Sequence, residues 1–306
     1  MKKHPLLLGI PLLFVIGIVF WGFMQIFLEG GWGKYSFSSE KKLAIVKVEG
    51  TINNSEEIVR QISSLTKDER VKAIVVRIDS VGGGVAPSQE IYEALLTAGK
   101  KKKVVASMGS VAASGGYLIA CGAEQIVANP GTVTGSISAV MHFTDIQELM
   151  KKIGIHSSVV KSGKYKDIGS PTRDMTEEER ILLQELVDDV YDQLLEVIAA
   201  RRKISMENLR QIADGRILTG RQALKLKLVD SLGTQQDAVR MAAKMAGLPD
   251  NPDIMHVERK KSLFLDFLLG SLANMIKKDL LQDAQESMKG LKFLHHSEQE
   301  MMSLTQ

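Results

Sequence analysis

Short apolar stretches with β-branched residues alternate along the chain with segments whose apolar positions recur at helical spacing. The stretches lie at residues 43–48, 73–78, 104–107, 125–128 and 157–161, and each is predicted to be a strand. Predicted helices lie at residues 55–65, 87–96, 113–121, 206–212, 220–225 and 235–245. Alternation of this kind predicts an α/β fold with largely parallel strands.

A longer helix is predicted to begin at Thr176, which together with Glu179 has the spacing of an N-terminal capping box. Its apolar positions recur at helical spacing and are Leu182, Leu183, Leu186, Val190, Leu194 and Val197. These positions form the apolar stripe of an amphipathic helix.

The stretch at residues 5–28 is apolar and carries no charged side chain. A helix of this length rises about 36 Å, enough to cross a hydrocarbon core of about 30 Å. Lys2 and Lys3 precede it, so the positive-inside rule keeps residues 1–4 in the cytoplasm and exports the residues after the stretch. A cleaved signal peptide is the alternative, but the stretch is longer than usual and no Ala-x-Ala site comes after it. The sequence therefore predicts a single-pass anchor that contacts membrane lipid.

After the anchor, residues 29–42 are predicted to be a linker and residues 43–250 a single exported domain. Residues 251–306 are predicted to be a C-terminal extension, with an amphipathic helix followed by a mobile tail. The apolar positions of that helix are Leu263, Phe264, Phe267, Leu268, Leu272, Met275 and Ile276. Lysines flank them, so the helix is expected either to pack on the domain or a neighbouring subunit, or to lie on anionic lipid.

Composition narrows the function classes. The net charge of the 306 residues is only +3, and no basic patch with interleaved aromatic residues is present, so nucleic-acid binding has little support. The sequence has one cysteine, Cys121, which excludes an intrachain disulfide and a cysteine-based zinc cluster. Its apolar neighbours predict a buried thiol.

A glycine-rich turn, Asp79 to Gly84, directly follows a predicted strand and precedes a predicted helix. Such a turn exposes backbone N–H groups, and three interpretations remain open. It could bind a phosphate, although no lysine is present at P-loop spacing. It could form an oxyanion hole for a tetrahedral intermediate. It could also be an ordinary tight turn.

Ser114 lies among small residues at the point where a helix is predicted to begin. Small neighbours would let a substrate carbonyl approach its hydroxyl, which is typical of a nucleophile. An N-cap serine is the alternative interpretation of the same position.

A serine nucleophile needs a general base, and two kinds of side chain remain possible. His142 and His156 are candidates for a serine–histidine arrangement. Lys161, Lys164 and Lys166 are candidates for a serine–lysine pair. A lysine base must be neutral, so its pKa has to fall from about 10.4 to about 7–8, which a dry cleft can supply.

Several sequence blocks, taken in order, resemble the signal peptide peptidase A family in its short single-domain form. They are the glycine-rich turn at residues 80–84, Met-Gly-Ser at 108–110, Ser-Gly-Gly-Tyr at 114–117, Thr-Gly-Ser at 134–136, Lys-Ser-Gly at 161–163, Lys-Asp at 166–167, Ser-Pro at 170–171, Asp-Gly-Arg at 214–216 and Thr-Gly-Arg-Gln-Ala at 219–223. The resemblance covers residues 43–245 and implies the Clp-protease/crotonase-like fold, here behind an N-terminal transmembrane helix.

The resemblance also implies site residues for a serine endopeptidase. Ser114 is the implied nucleophile and Lys166 the implied general base, while Ser136 is implied to orient the lysine amine. The backbone N–H groups of Gly83 and Gly115 are implied to form the oxyanion hole. The implied chemistry needs no metal or organic cofactor, so none is expected.

The same resemblance implies partners and a location. The expected substrates are peptides, in particular remnant signal peptides left after cleavage. The expected assembly is a homo-oligomer with active sites in grooves between neighbouring subunits. The expected location is the bacterial cytoplasmic (inner) membrane, with the catalytic domain on the outer side.

Two positions depart from the family pattern, and two other functions stay open. Val81 stands where a proline is common, which predicts a more mobile turn, and Ser138 stands where glycine is common. A crotonase-type acyl-CoA enzyme would share the fold and its backbone oxyanion hole, although a membrane anchor argues against it. A catalytically silent scaffold on the same fold is the second alternative.

Overall fold

The computed structural model describes residues 41–256, together with Gly17 and Phe20. The strands in chain order are β1 (Lys42–Ile52), β2 (Val71–Gly83), β3 (Lys103–Ala113), β4 (Gln125–Ala128), β5 (Val133–Gly135), β6 (Ile217–Thr219), β7 (Ser231–Leu232) and β8 (Asp253–His256). The helices are α1 (Glu56–Lys67), α2 (Val85–Gly99), α3 (Gly115–Ala120), α4 (Gln147–Lys152), α5 (Glu177–Arg202), α6 (Met206–Arg210), α7 (Gly220–Lys225) and α8 (Gln235–Met245). The predicted α/β class is confirmed.

The strands of the described region form one eight-stranded sheet. Its main path runs β6-β5-β3-β2-β1-β8, and β4 pairs with both β3 and β7. All pairs are parallel except β5 with β6, so the sheet is mixed. The long strand β3 changes partner along its length, because residues 105–108 pair with β4 and residues 111–113 pair with β5. Ser114 therefore leaves β3 where β5 is the neighbour.

Both faces of the central strands are covered, which explains why their apolar runs are continuous rather than alternating. Leu43 and Ile45 of β1 belong to a cluster with Ala242 and Ala243 of α8. Ala44, which lies between them, belongs to the larger cluster that contains residues of α1, α2 and α3. Because successive side chains of a strand point to opposite faces, one apolar run supplies both layers of the core.

Helix α5 begins as the sequence predicts. Thr176 Oγ1 accepts a hydrogen bond from Glu179 N at 3.2 Å, and the Glu179 carboxylate accepts one from Thr176 N at 3.0 Å. The two bonds satisfy two amides that the helix itself leaves unpaired. Leu182 and Leu186 of the predicted stripe are exposed. The first half of α5 thus presents apolar side chains at the surface of the single chain.

The prediction of a strand at residues 157–161 is wrong. Val159 and Val160 are exposed, and no strand of the described region pairs with this segment. Residues with β-branched side chains favour a strand only where a neighbouring strand and a buried face support it. Neither is available to this segment among the described residues.

The C-terminal end of the sheet lies inside the predicted extension, since β8 pairs with residues 42–45 of β1. The rest of that extension, with its predicted amphipathic helix and mobile tail, lies outside the described residues. The predicted anchor at residues 5–28 also lies outside them, apart from Gly17 and Phe20, as does most of the predicted linker. Among the residues that are described, no helix has both the length and the apolar character needed to cross a membrane.

Candidate active site

Ser114 forms the turn between β3 and α3, with backbone angles of φ 53° and ψ −120°. A positive φ is uncommon for a residue with a side chain and costs on the order of 1–3 kcal/mol. Strain of this kind clusters at functional sites. The Ser114 hydroxyl caps no helix and has no hydrogen-bond partner among the described residues. The residue is half-buried.

Ser136 comes directly after the strand next to the one that carries Ser114. Ala113 and Gly135 are register partners in β3 and β5, and Ser114 N donates to Gly135 O at 2.9 Å. Ser136 also has a positive φ, 50°, and its N–H donates to Arg216 O at 2.8 Å. Two serines with strained backbones therefore lie at the ends of neighbouring parallel strands, at the same edge of the sheet.

The glycine turn at the end of β2 packs directly against the Ser114 turn. An ideal Cβ built on Gly82 would lie 2.9 Å from both Ser114 Cβ and Gly115 N. A Cβ built on Gly115 would lie 3.5 Å from Gly83 N and would overlap Ser88 Oγ. Such close approach of two backbones requires glycine. The turn therefore brings the amides of Gly83 and Gly115 together beside Ser114.

Two polar side chains hold these turns in place, and sequence reasoning assigned neither a role. Ser80 is buried, donates to Gly50 O at 2.5 Å and accepts from Gly82 N at 3.1 Å. Asp79 Oδ1 accepts from Val111 N at 3.1 Å, which links the end of β2 to the second half of β3. Their position between a predicted strand and a glycine run could have indicated a structural role. The hydrogen-bond partners Gly50 and Val111 could not be predicted, because they are about thirty positions away along the chain.

Replacement of Gly83 by alanine is expected to lower the free energy of unfolding by about 1–3 kcal/mol or more. An added Cβ would overlap Ile52 O and lie 2.6 Å from Ile52 N, and these are backbone atoms that cannot rotate away. Urea unfolding of the purified variant measures the change. Gly99→Ala is the matched control, because nothing lies within 4 Å of its added Cβ. A Gly83→Ala variant as stable as Gly99→Ala would contradict the close approach of Gly83 to Ile52 at the end of β1.

Replacement of Ser114 by glycine is expected to raise the free energy of unfolding by about 1 kcal/mol, because glycine adopts positive φ without strain. Thermal unfolding measures the effect. Ser110→Gly, at an exposed position of β3, is the control and should lower stability by roughly 0.5–1 kcal/mol. A loss of stability in Ser114→Gly would show that the turn is not strained.

Lys166, the implied base, is not joined to the serine turn within the single chain. Residues 151–166 are all exposed. In the described region, the Lys166 amine forms no hydrogen bond or ion pair, either with Ser114, with Ser136 or with any other group. One copy of the chain therefore does not assemble Ser114, Ser136 and Lys166 into a hydrogen-bonded set.

The other two lysines of this segment are engaged by carboxylates. Lys161 forms an ion pair with Asp167, and Lys164 forms one with Glu178. The hydrogen bond from Lys164 to Glu178 raises the pKa of Lys164, which keeps that amine charged at neutral pH. Among the three candidate lysines, Lys166 is thus the one whose amine is not tied to a carboxylate in residues 41–256.

The remaining candidate groups are further from a catalytic arrangement. His142 and His156 are exposed, and neither hydrogen-bonds with Ser114 in the described part of the chain. Cys121 is buried, and burial raises the pKa of its thiol to about 12, so it is not a nucleophile at neutral pH. Within residues 41–256, no group of three or more histidine, cysteine, aspartate or glutamate side chains is placed to hold a metal ion.

Two of the clefts on the described surface are not lined by Ser114. One of about 820 Å³ lies between α1 and α2, with Val59, Ile62 and Ala94 in its lining. The other, about 730 Å³, lies between residues 141–145 and the first half of α5 and includes Arg173 in its lining.

Comparison with known proteins relates the chain to peptidases. The model of peptidase family S49 matches residues 97–249. A protein named as a protease from Synechocystis is 44% identical over 231 residues, covering 75% of this chain and 83% of the relative. A protein named as a signal peptide peptidase SppA from Enterococcus faecium is 32% identical over 230 residues, covering 70% of this chain and 66% of the relative. Among solved structures, a mutant of ClpP1 from Listeria monocytogenes is similar with a TM-score of 0.44 and 19% identity, covering 63% of this chain and 93% of that one.

Proposed function

The chain belongs to peptidase family S49, which confirms its resemblance to the signal peptide peptidase A family, and from this premise we propose that it is a serine endopeptidase with Ser114 as nucleophile. The observation that carries the proposal is the Ser114 turn. The Ser114 backbone has a strained, positive φ, and its hydroxyl has no hydrogen-bond partner in the described region. The turn lies beside the amides of Gly83 and Gly115. Backbone strain of this kind is more typical of a functional residue than of a structural serine. N–H groups beside the hydroxyl are what an oxyanion hole requires.

The proposed general base is Lys166, with Ser136 orienting its amine. A lysine accepts a proton only in its neutral form, and an ion pair with a carboxylate stabilises the charged form. Lys161 and Lys164 have such partners, whereas the Lys166 amine has none within residues 41–256. The Lys166 amine can therefore approach Ser114 without breaking an ion pair.

The proposed site is completed between two copies of the chain. Lys166 lies at the end of an exposed segment whose apolar side chains are uncovered in one copy: Ile153, Ile155, Val159 and Val160. Leu182 and Leu186 of α5 are exposed as well. Exposed apolar side chains grouped in this way are typical of a surface that contacts another protein or a membrane, and we propose a second copy of the chain. Burial of the segment against a neighbouring copy would dry the lysine and lower its affinity for a proton, as a base requires.

In the proposed mechanism, neutral Lys166 takes the proton of Ser114 as its hydroxyl oxygen attacks the peptide carbonyl. The amides of Gly83 and Gly115 donate hydrogen bonds to the oxygen that becomes negative. Protonated Lys166 then gives its proton to the leaving amine, and the acyl-enzyme remains. Water, deprotonated by the same lysine, attacks the ester and regenerates Ser114.

The proposed substrates are peptides with apolar character, in particular signal peptides left after cleavage. The relative from Enterococcus faecium is named for that activity, and the apolar stretch at residues 5–28 would hold the domain at the membrane where such peptides remain. The proposed location is the outer face of a bacterial cytoplasmic membrane. The finer fold class, a Clp-protease/crotonase-like arrangement, is proposed on the same family membership.

A fluorophosphonate probe tests the proposal without knowledge of the natural substrate. The probe esterifies an activated serine and leaves an ordinary hydroxyl unmodified. Labelling of the full-length chain in detergent, mapped to Ser114 by mass spectrometry of peptides, is the expected result. Absence of labelling across pH and detergent conditions would favour an acyl-CoA enzyme or a silent scaffold on the same fold.

A further inference from the structure

Arg173 contacts the residue next to the proposed base through two of its three guanidinium nitrogens. Its Nε donates to Asp167 Oδ2 at 2.9 Å, and one terminal nitrogen donates to Asp167 Oδ1 at 3.0 Å and to the Asp167 carbonyl at 3.2 Å. Both the side chain and the backbone of Asp167 are therefore held. Because Lys166 precedes Asp167 directly, the same contacts fix the place from which the Lys166 side chain starts.

The other edge of the same guanidinium grips the beginning of α5. Arg173 donates to the two carboxylate oxygens of Glu179 at 2.9 and 2.5 Å. Glu179 is buried and forms the capping box with Thr176. Arg173 lowers the pKa of the Glu179 carboxyl to about 2, so that carboxylate stays charged and paired at neutral pH. The segment with Lys166 is thus attached to a helix whose far end is anchored in the core by Leu195.

We propose that Arg173 is a positioning residue for the base: it fixes Lys166 through Asp167, and it withholds the Asp167 carboxylate from the Lys166 amine. This inference rests on the proposed function of Lys166. Asp167 is the nearest carboxylate to Lys166 along the chain, and a free carboxylate there would stabilise the charged lysine. In the described structure both of its oxygens are taken up by Arg173 and Lys161.

The charges around Lys166 balance without it. Lys161 and Arg173 face Asp167, Arg173 also faces Glu179 of α5, and Lys164 is paired with Glu178 of the same helix. Each carboxylate of this cluster is matched by a cation other than Lys166. Lys166 therefore has no carboxylate of this cluster left over to pair with.

Lysine cannot take the place of Arg173 in this arrangement. One planar guanidinium pairs with Asp167 along one edge and with Glu179 along another, whereas an ammonium is a point charge that cannot span both in fixed geometry. Arg173→Lys should therefore keep the charge and lose the position, while Arg173→Gln should lose both. The pair of variants separates the two roles.

The test measures the rate of Ser114 labelling by a fluorophosphonate between about pH 6 and about pH 10 in the full-length chain. For Arg173→Gln we expect labelling at pH 7 to fall at least about tenfold and to recover partly at higher pH. Loss of Arg173 leaves Asp167 Oδ2 free to pair with charged Lys166, while Lys161 still holds Oδ1. For Arg173→Lys we expect a similar fall at pH 7 with a pH profile close to that of the unchanged protein. Arg180→Gln, an exposed arginine of α5, is the control and should leave both unchanged.

Three results decide the inference. An unchanged rate and pH profile in Arg173→Gln, with Lys166→Ala inactive, would overturn it while leaving the proposed base intact. A Lys166→Ala variant that labels normally would instead overturn the proposed function. If Arg173→Gln unfolds, as circular dichroism would reveal, Arg173→Lys decides by the same measurement, because a full rate in that variant would exclude the positioning role.

Discussion

Replacement of Ser114 by alanine is expected to abolish peptide hydrolysis, with a loss of at least about 10⁴-fold in kcat. Alanine removes the oxygen that would form the acyl-enzyme and leaves the backbone amides of Gly83 and Gly115 in place. The fold should survive, because the Ser114 hydroxyl forms no hydrogen bond with the described residues. Cleavage of an apolar fluorogenic peptide, with the protein in detergent, measures the change.

Ser110→Ala is the matched control for that experiment. Ser110 lies four positions earlier in β3, is exposed, and makes no side-chain hydrogen bond in residues 41–256. Its variant should retain full activity, so a loss confined to Ser114→Ala cannot be attributed to removal of a surface hydroxyl. Turnover by a folded Ser114→Ala protein at the rate of the Ser110→Ala control would rule Ser114 out as the nucleophile.

Replacement of Lys166 by alanine is expected to reduce hydrolysis to a similar extent, because a serine hydroxyl without a base is a weak nucleophile at neutral pH. Stability should change little, since the Lys166 amine makes no hydrogen bond or ion pair in the described region. The same fluorogenic assay measures the loss. Lys164→Ala is the control: that lysine is two positions away and pairs with Glu178 on the surface.

Normal turnover by Lys166→Ala would reject the serine–lysine pair and bring His142 forward as the base.

A mixing experiment tests whether the two residues of the pair come from different copies of the chain. If Lys166 of one copy serves Ser114 of another, an equal mixture of inactive Ser114→Ala and Lys166→Ala copies should regain about a quarter of full activity by random assembly. No recovery after subunit exchange would place both residues of the pair in one copy.

The sheet was predictable because its signal is local. The apolar stretches that form β1 to β4 are buried on both faces. A strand covered on both faces needs a continuous apolar sequence, which can be recognised without knowledge of its partners. Thr176 and Glu179 were predictable for the same reason, since a capping box is complete within four residues. By contrast, Val159 and Val160 look like a strand locally, but the described chain supplies neither a partner strand nor cover for them.

The site divides along the same line. Family blocks in the sequence indicated Ser114, Ser136, Gly83 and Gly115, and these residues lie at the ends of neighbouring strands. The sequence contained no such signal for Arg173. Its proposed role depends on contacts with two carboxylates, each six residues away, and only folding of the loop brings both to one guanidinium. A periodic pattern cannot report contacts that a loop makes.

By itself, the sequence determined the α/β class, the order of the central strands along the chain and the residues worth testing, since hydrophobic period, capping and motif spacing are properties of short segments. Tertiary structure decided what surrounds each of them. It placed the strained Ser114 turn against the glycine turn, because backbone approach depends on the pairing of β2 with β3. It also left Lys166 unpaired and exposed on the described chain, because charge balance and burial depend on residues that meet only after folding.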